Sequence, residues 1–69
     1  MLWAIKRNAL NYYELRPWVL DAVTLEWRPQ AAQIVATSMP CAEALLPAGV
    51  RIAKVEPDCI WWARAAGAA

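Results

Sequence analysis

The apolar residues of the first fourteen positions recur with the spacing of a helix. At about 100° per residue, one arc carries Leu2, Ile5, Ala9, Tyr12 and Tyr13, whereas the opposite arc carries Arg7, Asn8, Asn11 and Glu14. Pro17 ends the pattern, because the residue before a proline is biased away from the α region. We therefore predict an amphipathic helix over residues 2–14. A strand over Trp3–Arg7 is the competing interpretation, since no N-cap residue precedes the helix.

Residues 22–37 alternate between apolar and polar positions on either side of a proline. A chain reversal at Arg28-Pro29-Gln30-Ala31 would place six apolar side chains on one face: Trp27, Ala32, Leu25, Ile34, Val23 and Ala36. Proline suits the second turn position because its φ is already fixed there, but it excludes the I′ and II′ geometries of tight hairpins. The pattern predicts an antiparallel hairpin with a longer or bulged turn, and it places Trp27 in the core.

A short helix is predicted over residues 38–46. Thr37 or Ser38 can cap its N-terminus, Pro40 is tolerated in the first turn, and Pro47 stops the helix. Its buried side is expected to consist of three apolar residues, Ala42, Leu45 and Leu46.

Residues 50–65 predict a second hairpin, with strands Val50–Val55 and Ile60–Ala65 joined by the turn Glu56-Pro57-Asp58-Cys59. The small residues 65–69 are expected to form a frayed tail. The whole chain, 1–69, is then one small α+β domain with the layout α-ββ-α-ββ. Because consecutive hairpins replace βαβ alternation, the sheet is expected to be antiparallel.

Composition narrows the function by exclusion. The 69 residues include no histidine, two glycines and two cysteines, so the chain lacks the usual general base, a phosphate-cradling glycine loop and a zinc ligand set. We expect no catalytic residues, no metal and no cofactor, and hence no enzyme. The net charge of +1 argues against nucleic acid as a partner, since affinity for the phosphate backbone grows with the number of cations engaged.

The chain is expected to be cytoplasmic. Charges appear at Lys6 and Arg7 before any apolar stretch of the length of a secretory signal. The longest uncharged stretch, residues 29–42, is shorter than the ~20 residues of a membrane span. Cys41 and Cys59 are therefore expected to be reduced and, as is usual for cysteine, at least partly buried.

Five tryptophans make aromatic contact the main candidate chemistry. Trp61 and Trp62 are adjacent on a predicted strand and must point to opposite faces. In the simple hairpin register, Trp61 lies opposite Lys54 and Trp62 opposite Ala53, and the apolar neighbours of Trp62 make it the expected inner ring. The outer ring, Trp61, is then flanked by cations. The predicted partner-binding residues are Trp61, Lys54, Arg51, Arg64 and Trp18, and the alternative role for Trp18 is to plug the end of the sheet.

The expected function is protein binding without catalysis. Hydrophobic residues make up 61% of the chain, more than the ~45–50% usual for globular proteins, although small domains bury less of their surface. Another protein or a second copy would cover the excess. This is the profile of a subunit or inhibitor of a larger assembly, such as a small phage or mobile-element accessory protein. The alternative is a single-stranded nucleic-acid binder that uses the aromatic and basic surface of the second hairpin.

Overall fold

The computed structural model describes residues 1–65, which form an antiparallel sheet with one short helix. In chain order the elements are β1 (Leu2–Arg7), β2 (Tyr13–Leu20), β3 (Trp27–Pro29), β4 (Ile34–Ala36), α1 (Met39–Leu45), β5 (Val50–Val55) and β6 (Ile60–Ala65). The strand order is β3-β2-β1-β6-β5, and β4 pairs with β2 beside β3. The expected α+β class with an antiparallel sheet is confirmed at this level. The predicted tail begins at Ala65, which lies in β6, and its remainder lies outside the described residues.

The helix expected over residues 2–14 is wrong, and the competing strand is correct. β1 and β2 form a hairpin in which Ile5 stands opposite Leu15, both fully buried. The reversal is built around Asn8, whose side-chain Oδ1 accepts hydrogen bonds from the backbone N–H groups of Leu10 and Tyr12. Asn11 adopts a left-handed φ of 65°. Asparagine favours such local bonds over a helix interior, so these two residues make a turn where apolar spacing alone predicts a helix.

The first predicted hairpin is also wrong, because β3 and β4 do not pair with each other. Both pair with the same edge of β2, with Trp18 opposite Pro29 and Leu15 opposite Ile34. Residues 30–33 interrupt this edge. The guanidinium of Arg16 donates to the carbonyls of Gln30 (2.6 Å) and Ala31 (3.1 Å), and to the side-chain oxygen of Gln33. Arg16 thus supplies hydrogen-bond donors to a segment that lies outside the strand pairing.

The predicted short helix is confirmed as α1. The Ser38 side chain accepts a hydrogen bond from the backbone N–H of Cys41 at 3.2 Å, and Pro40 lies in the first turn. Ala42 is fully buried, and Met39 and Leu46 pack against the core. Leu45, expected on the buried side, is exposed.

The core lies between the sheet and α1. It consists of Ile5, Leu15, Ala36 and Ala42, and α1 contacts β2 and β4 on this side, which we call the helix face. The opposite side, here called the open face, has no helix over it among residues 1–65. Ile5 and Leu15 are the largest fully buried side chains of that part of the chain, so the core is thin.

Candidate functional site

The second hairpin has the predicted strand bounds but a different register near its turn. The N–H of Cys59 donates to the carbonyl of Glu56 at 3.0 Å, the N–H of Glu56 donates to that of Ile60 at 2.8 Å, and Cys59 has a left-handed φ of 64°. This is a three-residue loop ending in a left-handed residue, a common hairpin connection. It places Lys54 opposite Trp62 and Val55 opposite Trp61.

A β-bulge at Ala53 restores the expected register in the rest of the hairpin. Ile52 stands opposite Ala63, and Arg51 opposite Arg64, as the simple register predicts. The bulge inserts one extra residue into β5, and such residues bend a strand and re-aim its side chains. Its effect is that the cation of Lys54 lies on the same face as the ring of Trp62.

The expectation that Trp62 is the inner ring is wrong. β1 pairs with β6 so that Ile5 stands opposite Trp61, and Trp61 therefore shares the helix face with the buried core. The Trp61 ring packs edge to face with Tyr13, at 6.0 Å between centroids. The Trp62 ring lies on the open face, where it packs edge to face with Trp18 at 5.3 Å. Both tryptophans are half-buried.

The open face carries a groove of about 560 Å³, which we call the tryptophan groove. The side chains that define it are Leu2, Trp18, Trp27, Lys54, Trp62 and Arg64. They come from five different strands, since β1, β2, β3 and β6 contribute apolar residues and β5 and β6 contribute the cations. The volume falls within the range of about 300–1,000 Å³ typical of binding sites, and the lining combines apolar walls with a few charged groups.

Positive charge is concentrated on the open face. Strand register places five of the seven basic residues there: Lys6, Arg16, Arg51, Lys54 and Arg64. The carboxylates of Glu14 and Glu56 share this face, and Glu56 pairs with Lys54 at 3.2 Å. The lysine is largely exposed, so this ion pair contributes little to stability. The remaining surface is net negative.

The structure distributes the predicted partner-binding residues over both faces. Trp18, Lys54 and Arg64 line the tryptophan groove, and Arg51 stands across from Arg64 beside it. Trp61 lies on the opposite face and takes no part in the groove. The prediction of a binding role for these residues remains a prediction.

Trp27 is a groove residue that the sequence pattern assigns to the core. It is exposed, and it stands opposite Leu20 where β3 pairs with β2. The apolar alternation around Trp27 correctly indicates a strand. It does not reveal that this strand pairs with β2 rather than with β4, and that pairing decides which face the ring occupies.

Trp18 lies partly beneath the surface of the groove with one polar atom unsatisfied. Its indole Nε1 is buried and has no hydrogen-bond acceptor among residues 1–65. A buried donor without a partner loses its hydration and gains nothing in return. The ring is therefore held by its contact with Trp62 and by apolar packing rather than by a hydrogen bond.

The two thiols differ from expectation in their burial. Cys41 and Cys59 are free and both are exposed, so the predicted burial is wrong. Cys59 lies in the loop between β5 and β6, and Cys41 lies on α1 next to the buried Ala42. Their reduced state stays a prediction.

Residues 1–65 contain neither a metal-binding cluster nor a membrane-spanning helix. No group of three or more Cys, Asp or Glu side chains in this range could hold a metal ion. No helix in the same range is long and apolar enough to cross a bilayer.

No family model, curated protein or solved structure matches the chain. The chemistry of the groove is accordingly inferred from its own residues.

Proposed function

We propose that this chain is a non-enzymatic protein-binding module, a subunit or inhibitor of a larger assembly, and that the tryptophan groove is its binding site. The observation that carries the proposal is the gathering of Trp18, Trp27 and Trp62 on the open face beside the cations of Lys54 and Arg64. Aromatic residues and arginine dominate the energetic centres of protein interfaces. No helix among residues 1–65 covers them.

Both edges of the described sheet are poorly suited to pairing with another strand, which favours the open face as the docking surface. At one edge, β5 carries Lys54 and the bulge at Ala53. At the other edge, Pro29 and the interruption at 30–33 divide the strand into two short pieces. Lysine, proline, bulges and short strands are the devices by which proteins protect sheet edges.

The groove favours a partner surface that is both apolar and acidic. Aromatic walls bind apolar side chains, and the surplus of basic residues on the open face attracts carboxylates over a distance and repels basic surfaces. A partner carboxylate near Lys54 would compete with Glu56, whose pairing with that lysine is solvent-exposed and weak.

Single-stranded nucleic acid is the second candidate, supported by the five cations and the indole rings on one face. Two features weigh against it. Glu14 and Glu56 place negative charge on the same surface. In addition, the edge-to-face contact of Trp18 with Trp62 occupies part of the ring surface on which a base would stack.

The test is affinity capture with matched charge variants as bait. Wild type is compared with Lys54→Glu and Trp62→Ala in the groove, and with Arg7→Glu, which makes the same charge change on the helix face. A protein retained by wild type and Arg7→Glu but lost with both groove variants supports the proposal. Identical recovery with all four baits contradicts it. Loss of all recovered material after nuclease treatment, with binding that weakens linearly with log salt, favours the nucleic-acid alternative.

A further inference from the structure

The loop between β2 and β3 is a rigid projection at one end of the sheet. The Asp21 side chain accepts hydrogen bonds from the backbone N–H groups of Val23 (2.8 Å) and Thr24 (3.2 Å). The backbone of Asp21 bonds to Leu25 and Glu26 at 2.8 Å each. This loop, residues 21–26, is called the apolar tip below.

The apolar tip holds two aliphatic side chains in water. Val23 is 91% exposed and Leu25 is 73% exposed. Leu25 also has a left-handed φ of 60°, which a bulky side chain rarely adopts and which costs free energy. Four hydrogen bonds from backbone N–H groups, two of them accepted by the Asp21 carboxylate, thus maintain a strained conformation that exposes an apolar projection. A loop ordered before binding loses less conformational entropy on docking, so this construction suits a binding element.

The charges around the apolar tip are opposite to those of the tryptophan groove. Asp21 and Glu26 flank the two aliphatic residues, and Arg28 pairs with both carboxylates, at 3.1 Å and 3.6 Å. One cation therefore stands against two anions. The groove has the complementary net charge, since its aromatic walls are bordered by two cations, Lys54 and Arg64, and one anion, Glu56.

We propose that the apolar tip of one copy of this chain docks in the tryptophan groove of a second copy. The inference rests on the proposed function, because it assigns to the same groove an occupant that is apolar and acidic. The side chains of Val23 and Leu25 fill the space between the indole rings, and the carboxylate of Glu26 approaches the cationic rim. Because Leu25 is largely exposed in its own chain, the tip does not occupy its own groove.

Charge selects this head-to-tail arrangement over two alternatives. A symmetric face-to-face dimer would bring five basic residues of one open face against the same five of the other, and like charges at an interface are unfavourable. Insertion of the apolar tip into an anionic membrane would bring Asp21 and Glu26 toward negative lipid headgroups, which attract basic segments instead.

Head-to-tail and symmetric contacts differ in how the mean mass of the assembly depends on protein concentration. A dimer formed in this way still has one free tip, on the copy whose groove is filled, and one free groove, on the copy whose tip is docked, so the contact does not close unless its rotation generates a ring. The mean mass should therefore rise continuously with concentration rather than stop at the dimer. A partner protein that occupies the groove would end such a chain, so assembly and partner binding would exclude each other.

The test is sedimentation velocity from micromolar to millimolar protein, with one variant for each half of the contact. Leu25→Asn removes one of the two exposed aliphatic side chains of the apolar tip, and asparagine tolerates the left-handed backbone, so the fold is retained. Lys54→Glu replaces one of the two cations at the groove rim with an anion. Each variant alone should weaken self-association at least about tenfold. Mixed together, they should form one-to-one dimers that grow no further, because Leu25→Asn supplies an intact groove and Lys54→Glu an intact tip.

Other outcomes overturn the inference. These are a wild-type chain that stays monomeric throughout, a dimer that Leu25→Asn does not affect, or a mixture of the variants that forms no dimer. Sedimentation of the wild type, but not of Leu25→Asn, with phosphatidylserine vesicles assigns the tip to membranes instead. A monomeric wild type whose captured partner still depends on Lys54 refutes self-docking while the proposed function stands.

Discussion

The adjacent rings of Trp61 and Trp62 lie on opposite faces of one sheet, and the two faces support them differently. Trp61 packs on Tyr13 and on the core beneath α1. Trp62 packs on Trp18 and borders a groove with cations at its rim. The two residues have the same chemistry, neighbouring positions and similar burial. A structural tryptophan is therefore distinguished from a candidate binding one by whether another element packs over its face of the sheet, and not by how exposed its ring is.

The largest expected difference between the faces is in the effect of removing each ring. Trp61→Ala should lower the free energy of unfolding by about 3 kcal/mol, the lower end of the range for tryptophan in a core, because the ring is half-buried. Trp62→Ala should destabilise the fold less, since no helix among residues 1–65 covers the open face, and should weaken partner binding by ~2 kcal/mol or more. Urea titration followed by circular dichroism measures the first effect. Equal destabilisation by both substitutions would break the comparison and make the open face a second structural layer.

A substitution that overpacks the helix face tests the same difference between the two faces. Ala42→Leu forces a larger side chain between α1 and the sheet, where Ala42 has no exposed surface, and should destabilise by about 1–3 kcal/mol. Ala44→Leu makes the same change at an exposed position of α1 and should be nearly neutral. Thermal melting of both variants measures the difference. Similar melting temperatures would show that α1 is not packed firmly on the sheet.

The apolar tip should respond to acid through the carboxylate of Asp21. Hydrogen bonds from the backbone of Val23 and Thr24, followed by the Arg28 contact, lower the pKa of Asp21 below its ordinary value. A lowered pKa stabilises the folded loop above the unfolded carboxyl value of about 3.9, and this contribution is lost as the pH falls through the folded value. The amide resonances of Val23 and Thr24 should therefore shift in acid. Asp21→Asn keeps an acceptor oxygen but cannot titrate, so its resonances should show no such step.

The smallest expected effect concerns the unsatisfied indole nitrogen of Trp18. Trp18→Phe removes the buried N–H that has no acceptor among residues 1–65 while keeping an aromatic ring against Trp62. The smaller ring buries less apolar area, which lowers stability, whereas removal of the unsatisfied N–H raises it. Because the two effects oppose each other, stability should change by less than about 1 kcal/mol. Trp18→Ala is the matched control and should be clearly destabilising. A large loss with phenylalanine would mean that the indole N–H makes a contact that supports the fold.

Local signals in the sequence were sufficient for about half of the fold. Ser38, Pro40 and Pro47 define α1 because caps and prolines act within a few residues of where they stand. The strands of the second hairpin follow from their apolar runs and the proline between them. The first hairpin of the structure was missed because the apolar residues before Pro17 fit a helical period as well as two strands. The turn at Asn8 and Asn11 distinguishes the two possibilities.

The site was only partly predictable because it depends on which strands become neighbours. Lys54, Arg64 and Trp18 were selected by their residue type, and the structure places them around one groove. Trp27 was missed, and the orientation of Trp61 and Trp62 was reversed, because each depends on pairing with β2 or β1 rather than on its own hairpin. Such long-range pairings leave no trace in the periodicity of a single segment.

The interruption at residues 30–33 has a consequence for insertions and deletions. Between the pairs Trp18–Pro29 and Leu15–Ile34, β2 advances three residues and the opposing chain advances five, an excess of two. Strand side chains alternate with a period of two, so an even excess leaves every later residue on its original face. Homologous chains that differ in length here should therefore differ by two residues. A change of one would turn Ala36 out of the core and Val35 into it.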